Sequence, residues 1–268
     1  MLCNFHTHST FCDGKDTIEQ MILAAIEKNF KAIGFSGHSF TPCDTSYCMK
    51  DTEGYISQVC SLQKKYGDQI QIYLGIEEDC SCLIDRQRFD YIIGSCHYIN
   101  INGTYYSLDS GLSYLQKCVD SFDGNSLLFA EAYFRSYCDY IKSRKPDIIA
   151  HFDLITKFDE SHDPFFLGDP QYEKIAEKYI TIAAESDCIF EVNTGAISRG
   201  YRTSPYPSEQ LMHVLKKLDA KLILSSDAHS AEALDCHFSE TKAFLHDVGF
   251  RSLYTLDHGQ FTKIPLYL

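Results

Sequence analysis

The chain has 268 residues, 44% of them hydrophobic, which is enough for a sizeable core. With 37 acidic against 24 basic residues the formal charge is −13, which argues against nucleic acid or any partner held by a broad basic face. No apolar run reaches the roughly 18 residues of a membrane span, and no basic stretch followed by an apolar one opens the chain, so a cytoplasmic protein is expected. Its 12 cysteines are scattered without a Cys-x-x-Cys pair. They read as small buried hydrophobes in a reducing compartment rather than as a disulfide framework or a zinc knuckle.

Short β-branched or aromatic runs alternate with longer amphipathic stretches. LCNFH (2–6) predicts a first strand, and Asp16 is placed to cap the helical TIEQMILAAIEKN that follows. KAIGFS (31–36) predicts the second strand, with the helix EGYISQVCSLQKKYG behind a polar loop. QIQIYLGIE (69–77) and FDYIIGSCH (89–97) are the third and fourth strands. The Tyr-, Ser-, Asn- and Gly-rich stretch 98–124 is expected to be a long loop, a feature that is usually functional. Then come helix SLLFAEAYFRSYCDYIKSR, strand DIIAH (147–151), helix EKIAEKYITIAAES and strand CIFEVN (188–193). Helix SEQLMHVLKKLD, strand KLILSSDAH (221–229) and helix AEALDCHFSETKAFLHDVG complete the series. Seven strands alternating with helices predict a mostly parallel α/β sheet, either doubly wound or closed into a barrel. No repeat, low-complexity tract or Pro/Gly linker divides the chain, so residues 1–268 read as one domain.

The polar residues follow the strand count. His6 and His8 close the first strand, and alternate residues of an extended segment aim at one point. His38 closes the second, Glu77 the third, His97 the fourth and His151 the fifth. Asn193 ends the sixth, and Asp227 and His229 end the seventh, while Asp13 trails the first. In a parallel barrel those carboxyl ends converge on the face that carries active sites. Imidazoles mixed with carboxylates suit zinc, iron or manganese. Nine such groups exceed the three or four ligands of one tetrahedral ion, and so predict two or three ions with a bridging carboxylate. A hydrogen-bonded polar mouth without metal is the alternative. His162, His213, His237, His246 and His258 fall outside this register and read as ordinary.

The motifs HTHS with its downstream Asp, GHS, GIEED, the His after the fourth strand, AHFDL and SSDAH resemble the polymerase-and-histidinol-phosphatase (PHP) family. The likeness runs from His6 to about His229, and EVNTGAISRGYRTSPYPSEQLM is similar to its histidinol-phosphate phosphatase branch. The resemblance implies a distorted TIM-like (β/α)7 barrel with a trinuclear metal site at the carboxyl ends of the strands. It implies that His6, His8, Glu77 and Asp227 hold one ion, that Glu77 bridges to a second held by His97 and His151, and that Asp13, His38 and His229 hold a third. Glu78 is the rival for the bridge. Glu77, Asp227 and His229 are assigned to the reacting centre, with Ser39 and Arg199 or Arg202 on the phosphate. Thr156 and Lys157 stand where relatives carry an arginine, so the phosphate contacts are expected to be redistributed.

The implied reaction is hydrolysis of a phosphate monoester, L-histidinol phosphate, to L-histidinol and phosphate in histidine biosynthesis. Metal ions lower the pKa of water from 15.7 towards about 7 and so make hydroxide available as nucleophile. Three divalent ions against Asp13, Glu77 and Asp227 leave a cationic centre, which lets an acidic protein bind an anion. Tyr105, Tyr106, Asp109 and Glu131 are candidates for the ammonium and imidazole end of the substrate. A PHP-type phosphoesterase acting on nucleotides or phosphotyrosine is the alternative, and a non-catalytic metal-binding module a weaker one. An amidohydrolase-like enzyme would use a bridging lysine, and no lysine ends a strand.

Overall fold

The computed structural model describes residues 2–160 and 163–267, so His162 lies outside the described residues. Strands β1 (Cys3–Asn4), β2 (Ala32–Phe35), β3 (Gln71–Asp79) and β4 (Tyr91–Ser95) pair in parallel in that order. The hairpin β5 (Tyr98–Ile101) and β6 (Thr104–Ser107) intervenes. The sheet then continues with β7 (Ile148–Ile149), β8 (Ile189–Asn193) and β9 (Leu222–Ser225). Beyond β9 the chain returns to β1: His8 N–H donates to the Ala228 carbonyl at 2.8 Å, and Ala228 N–H to that of His6 at 3.1 Å. The result is a nearly closed parallel barrel of the expected class.

Helices α1 (Ile18–Glu27) and α2 (Thr52–Tyr66) cover one side. The barrel is further enclosed by α3 (Leu112–Asp120), α4 (Ser126–Arg144), α5 (Pro170–Ala184), α6 (Gly195–Ser198), α7 (Glu209–Lys217) and α8 (Phe238–Val248). Asp16 is not the first cap. Thr17 holds that position in a capping box with Gln20, and Asp16 instead accepts from Ala231 N–H at 2.7 Å. Asn125 caps α4 through Leu127 and Leu128, and Asp169 followed by Pro170 opens α5. None of the described helices is long and apolar enough to cross a membrane.

Two parts depart from the sequence reading. The stretch 98–124 is not a loop, because Asn102 and Gly103 both adopt positive φ and turn YINI back onto TYYS. An amphipathic α3 then packs Leu115, Cys118 and Val119 inward. The second departure is β10 (Ser252–Asp257) and β11 (Gln260–Pro265), an antiparallel hairpin beyond the last expected helix. It covers the amino-terminal end of the barrel. Gln71, at the start of β3, donates to Asp257 at 2.8 Å, and Leu256 joins the interior cluster of Phe5, Tyr73, Tyr91, Ile148, Ile189 and Ile223.

Three aromatic rings fill that interior, Phe5, Tyr73 and Tyr91. Tyr91 is 1% exposed and donates its hydroxyl to the Phe5 carbonyl. A Cβ at either Gly34 or Gly75, on the two strands next in order, would collide with the Tyr91 side chain. The glycines are there for the ring. Gly75→Ala is therefore expected to destabilise the protein by about 1–3 kcal/mol through overpacking. Thermal or denaturant unfolding of that variant checks this, and an unchanged midpoint would contradict it.

Candidate metal centre

The alternate spacing of His6 and His8 has the expected effect. Their Nε2 atoms lie 3.6 and 3.0 Å from Asp227 Oδ1, and 3.4 and 3.8 Å from Glu77 Oε2. Glu77 Oε1 faces the other way, 3.5 Å from His97 Nε2 and 3.2 Å from His151 Nε2. His38 connects the groups, with Nδ1 2.7 Å from Glu77 Oε2 and Nε2 3.6 Å from Asp13 Oδ2. His229 Nε2 is 3.2 Å from the same Asp13 oxygen, and His8 Nδ1 is 3.5 Å from Asp13 Oδ1. All nine residues of the expected set are brought together.

The donor set fits metal. Bonds of about 2.0–2.2 Å in tetrahedral array put two ligands of one ion about 3.3–3.6 Å apart, a separation that half of these pairs show. Three overlapping groups meet the spacing a single ion needs: His8, Asp13, His38 and His229; His6, His8 and Glu77; His38, Glu77 and His97. Nε2 of His6, Nε2 of His8 and Oε2 of Glu77 are buried without a hydrogen bond. Orphaned polar atoms of that kind are costly in an apolar interior, and metal coordination would satisfy them. Asp227 sits at φ 49°, a left-handed conformation that Asp tolerates, and this turns its carboxylate back over His6 and His8.

Electrostatics follows from the packing of acids against imidazoles. Burial penalises charge on Glu77, yet His38, His6 and His97 hold its carboxyl well below the usual range. Asp227 behaves likewise: burial is outweighed by Arg199 and His6. His8 is pushed down to about 3 by burial and by repulsion from His229 and His38. It therefore offers neutral nitrogen. Burial also opposes charge on His6, His38 and His97, but the acids around them win and raise all three.

Several residues escaped the sequence reading. Glu191, 1% exposed in β8, accepts from His6 Nδ1 at 2.6 Å and so directs Nε2 at the centre. Its other oxygen accepts from His151 N–H at 3.0 Å and from Asn193 Nδ2 at 2.9 Å, which makes Asn193 a brace rather than a ligand. Asp79 accepts from His97 N–H at 2.7 Å. Inward phase along strands already carrying Asn193 and Glu77 was the available signal for both. Glu78 is turned away, bound by Tyr140 at 2.8 Å and by Arg144 Nη2 at 2.7 Å, and takes no part in the bridge position.

The centre opens into a cavity of about 260 Å³. Arg199 lines it, with Nη2 donating to Asp227 Oδ2 at 2.9 Å and Nη1 to the Asp227 carbonyl at 3.0 Å. A side chain at Gly195 would press on both partners. Arg202 lies elsewhere, 4% exposed, bonded to Thr156 and Ser204 and stacked 4.4 Å over Tyr206. Ser39 is buried beside Phe40 and Ile84, outside the cavity. Of the candidates for the cationic end, Asp109 lines the cavity. Glu131 is bound to Lys178 and Tyr179, and Tyr105 is exposed on β6.

Two outcomes are expected. Ligands must shed protons to bind metal, and the raised values of His6, His38 and His97 mean that those protons persist above the ordinary histidine value of about 6.5. Metal uptake at fixed free zinc should therefore fall on acidification, beginning near neutrality. Equilibrium dialysis between about pH 5 and 8 measures it, and a flat profile would contradict the arrangement. Glu77→Gln should lower metal content with little change in far-UV circular dichroism, because it removes the charge that faces both sets of imidazoles.

The PHP domain model matches residues 4–195. A Schizosaccharomyces pombe protein described as a probable histidinol-phosphatase is 27% identical, with 95% of this chain and 89% of that protein covered. The histidinol-phosphatase of Bacillus subtilis is 23% identical over 84% of this chain and 92% of its own length. Among solved structures, histidinol phosphate phosphatase from Lactococcus lactis, complexed with zinc, L-histidinol and phosphate, superposes with a TM-score of 0.73. That pair is 19% identical and covers 97% of this chain and 98% of the other, a likeness of fold. Since the matched residues make up more than half of its length, the chain belongs to the PHP domain family.

Proposed function

We propose that the chain is a metal-dependent phosphomonoesterase that hydrolyses L-histidinol phosphate to L-histidinol and phosphate, a step of histidine biosynthesis. Residues 1–268 act in it as one domain, in the cytoplasm. The observation that carries the reading is the shared carboxylate: Glu77 offers one oxygen to His6, His8 and His38 and the other to His97 and His151. Two to three zinc, iron or manganese ions suit that donor set. His6, His8, Glu77 and Asp227 would hold one, Glu77, His97 and His151 a second, and Asp13, His38 and His229 a third. The Bacillus subtilis relative is a histidinol-phosphatase and the Schizosaccharomyces pombe one is described as a probable histidinol-phosphatase, which supports the choice of substrate.

The bound ions would supply hydroxide at neutral pH and offset the charge of the phosphate. The chain's own residues do the rest. Glu191 orients the His6 ring, and Asp79 holds His97 through its main-chain N–H and lies 3.3 Å from its Nδ1. Arg199 presents a guanidinium at the cavity wall to a phosphate oxygen while it steadies Asp227. Leu154, Tyr201 and Tyr206 line the cavity beside it.

A substrate panel tests the proposal. Metal-loaded protein is assayed with histidinol phosphate, p-nitrophenyl phosphate, nucleotides and phosphotyrosine under one metal condition. Binding energy from the amino-imidazole end, used in the transition state, should place histidinol phosphate ahead in kcat/KM by about 100-fold or more. Comparable values across the panel, or a preference for a nucleotide, would leave only a generic phosphoesterase.

A further inference from the structure

One cation on the cavity wall is held by an anion on the same wall. Lys157 Nζ donates to the Asp109 carbonyl at 3.0 Å and to Asp109 Oδ2 at 3.1 Å. Lys157 follows the turn Leu154–Thr156 beyond β7, and Asp109 lies between β6 and α3, so the pair fastens the 98–124 segment to the barrel mouth. The lysine stem is well seated, with its ammonium 4.9 Å from the Tyr201 ring centre and 5.6 Å from that of Phe158. Side-chain exposure is 10% for Lys157 and 24% for Asp109, so the carboxylate side of the pair is the more open to the cavity. Both residues line the cavity together with His97, His151 and Arg199.

We propose that Lys157 and Asp109 form an exchangeable ion pair: an entering phosphate ester takes Lys157 through a phosphate oxygen, and the released Asp109 takes a cationic group at the far end of the same ester. The inference rests on the phosphomonoesterase reading for the presence of a phosphate in the cavity. A dianionic phosphate competes effectively with one carboxylate for an ammonium. The exchange leaves no charge unpaired when the ester carries a cation of its own. An ester without one strands Asp109 in a partly buried wall, at a cost in binding. The pair thereby selects phosphate monoesters of cationic amino alcohols over neutral ones. In the absence of substrate it keeps the mouth braced.

The two halves of the pair predict changes of opposite sign, which a static brace does not. Calorimetric titration of the metal-loaded full chain with inorganic phosphate gives the dissociation constant. Lys157→Met keeps the stem over Tyr201 and should weaken phosphate binding about tenfold. Asp109→Asn removes the competitor for Lys157 and should tighten phosphate binding about threefold or more. It should also raise KM for histidinol phosphate relative to p-nitrophenyl phosphate. Phosphate binding that is unchanged or weaker in Asp109→Asn, at wild-type metal content, overturns the exchange. If that variant loses metal, Lys157→Met decides: an unchanged phosphate constant there overturns the proposal as well. Failure of the wild-type chain to hydrolyse histidinol phosphate would defeat the substrate reading and leave the phosphate titration to judge the pair.

Discussion

The structure depends on a carboxylate placed where a carboxylate is expensive. Glu77 is 1% exposed in the middle of a barrel, and an ion so buried costs several kcal/mol unless it is surrounded by matching partners. Its backbone is fixed first: Glu77 N–H donates to the Gly37 carbonyl at 3.2 Å, and its own carbonyl accepts from Ser39 N–H at 2.9 Å. Those two bonds extend the β2–β3 pairing past the end of β2 and set His38 beside Glu77. The imidazoles from the other strands then close around an anion whose position is already determined. Glu77 thereby touches five of the six imidazoles of the centre.

The part of this that was legible in the sequence is the part governed by strand periodicity. An acid or imidazole at the end of each apolar run is visible without coordinates, because parallel strands of one barrel end on one face. Residues whose role depends on partners remote in sequence were not visible. Glu191 looks like any acid in a strand until His6 is found against it, Ser39 looks accessible until the fold buries it, and Arg202 until Thr156 and Tyr206 engage it. The hairpin at 98–107 was concealed by polar composition, although its Asn-Gly turn was present. The last hairpin, β10–β11, pairs in register from Ser252 with Pro265 to Asp257 with Gln260, yet it lies past the final strand-end motif, where no polar landmark drew attention to it.

The excess of acid also has a local meaning. A net charge of −13 would repel a phosphate dianion at long range, but that field is screened within about 8 Å at physiological salt. Within that distance the cavity presents Arg199 and Lys157, together with the acids and imidazoles suited to hold cations. Surface acids such as Glu53 and Glu19 are engaged with Arg88 and Lys65. Selection by charge is thus a property of the site and not of the protein as a whole.

Tyr91 has a consequence for how such a barrel can change over generations. Its ring fills volume that Gly34 and Gly75 leave open, and its hydroxyl serves the Phe5 carbonyl. Three positions on neighbouring strands therefore share one allotment of space. A lineage that gains a side chain at either glycine must shrink the aromatic residue, and one that loses the ring creates a void that only growth at a glycine can refill. Each single change is expected to be harmful and a paired change better tolerated.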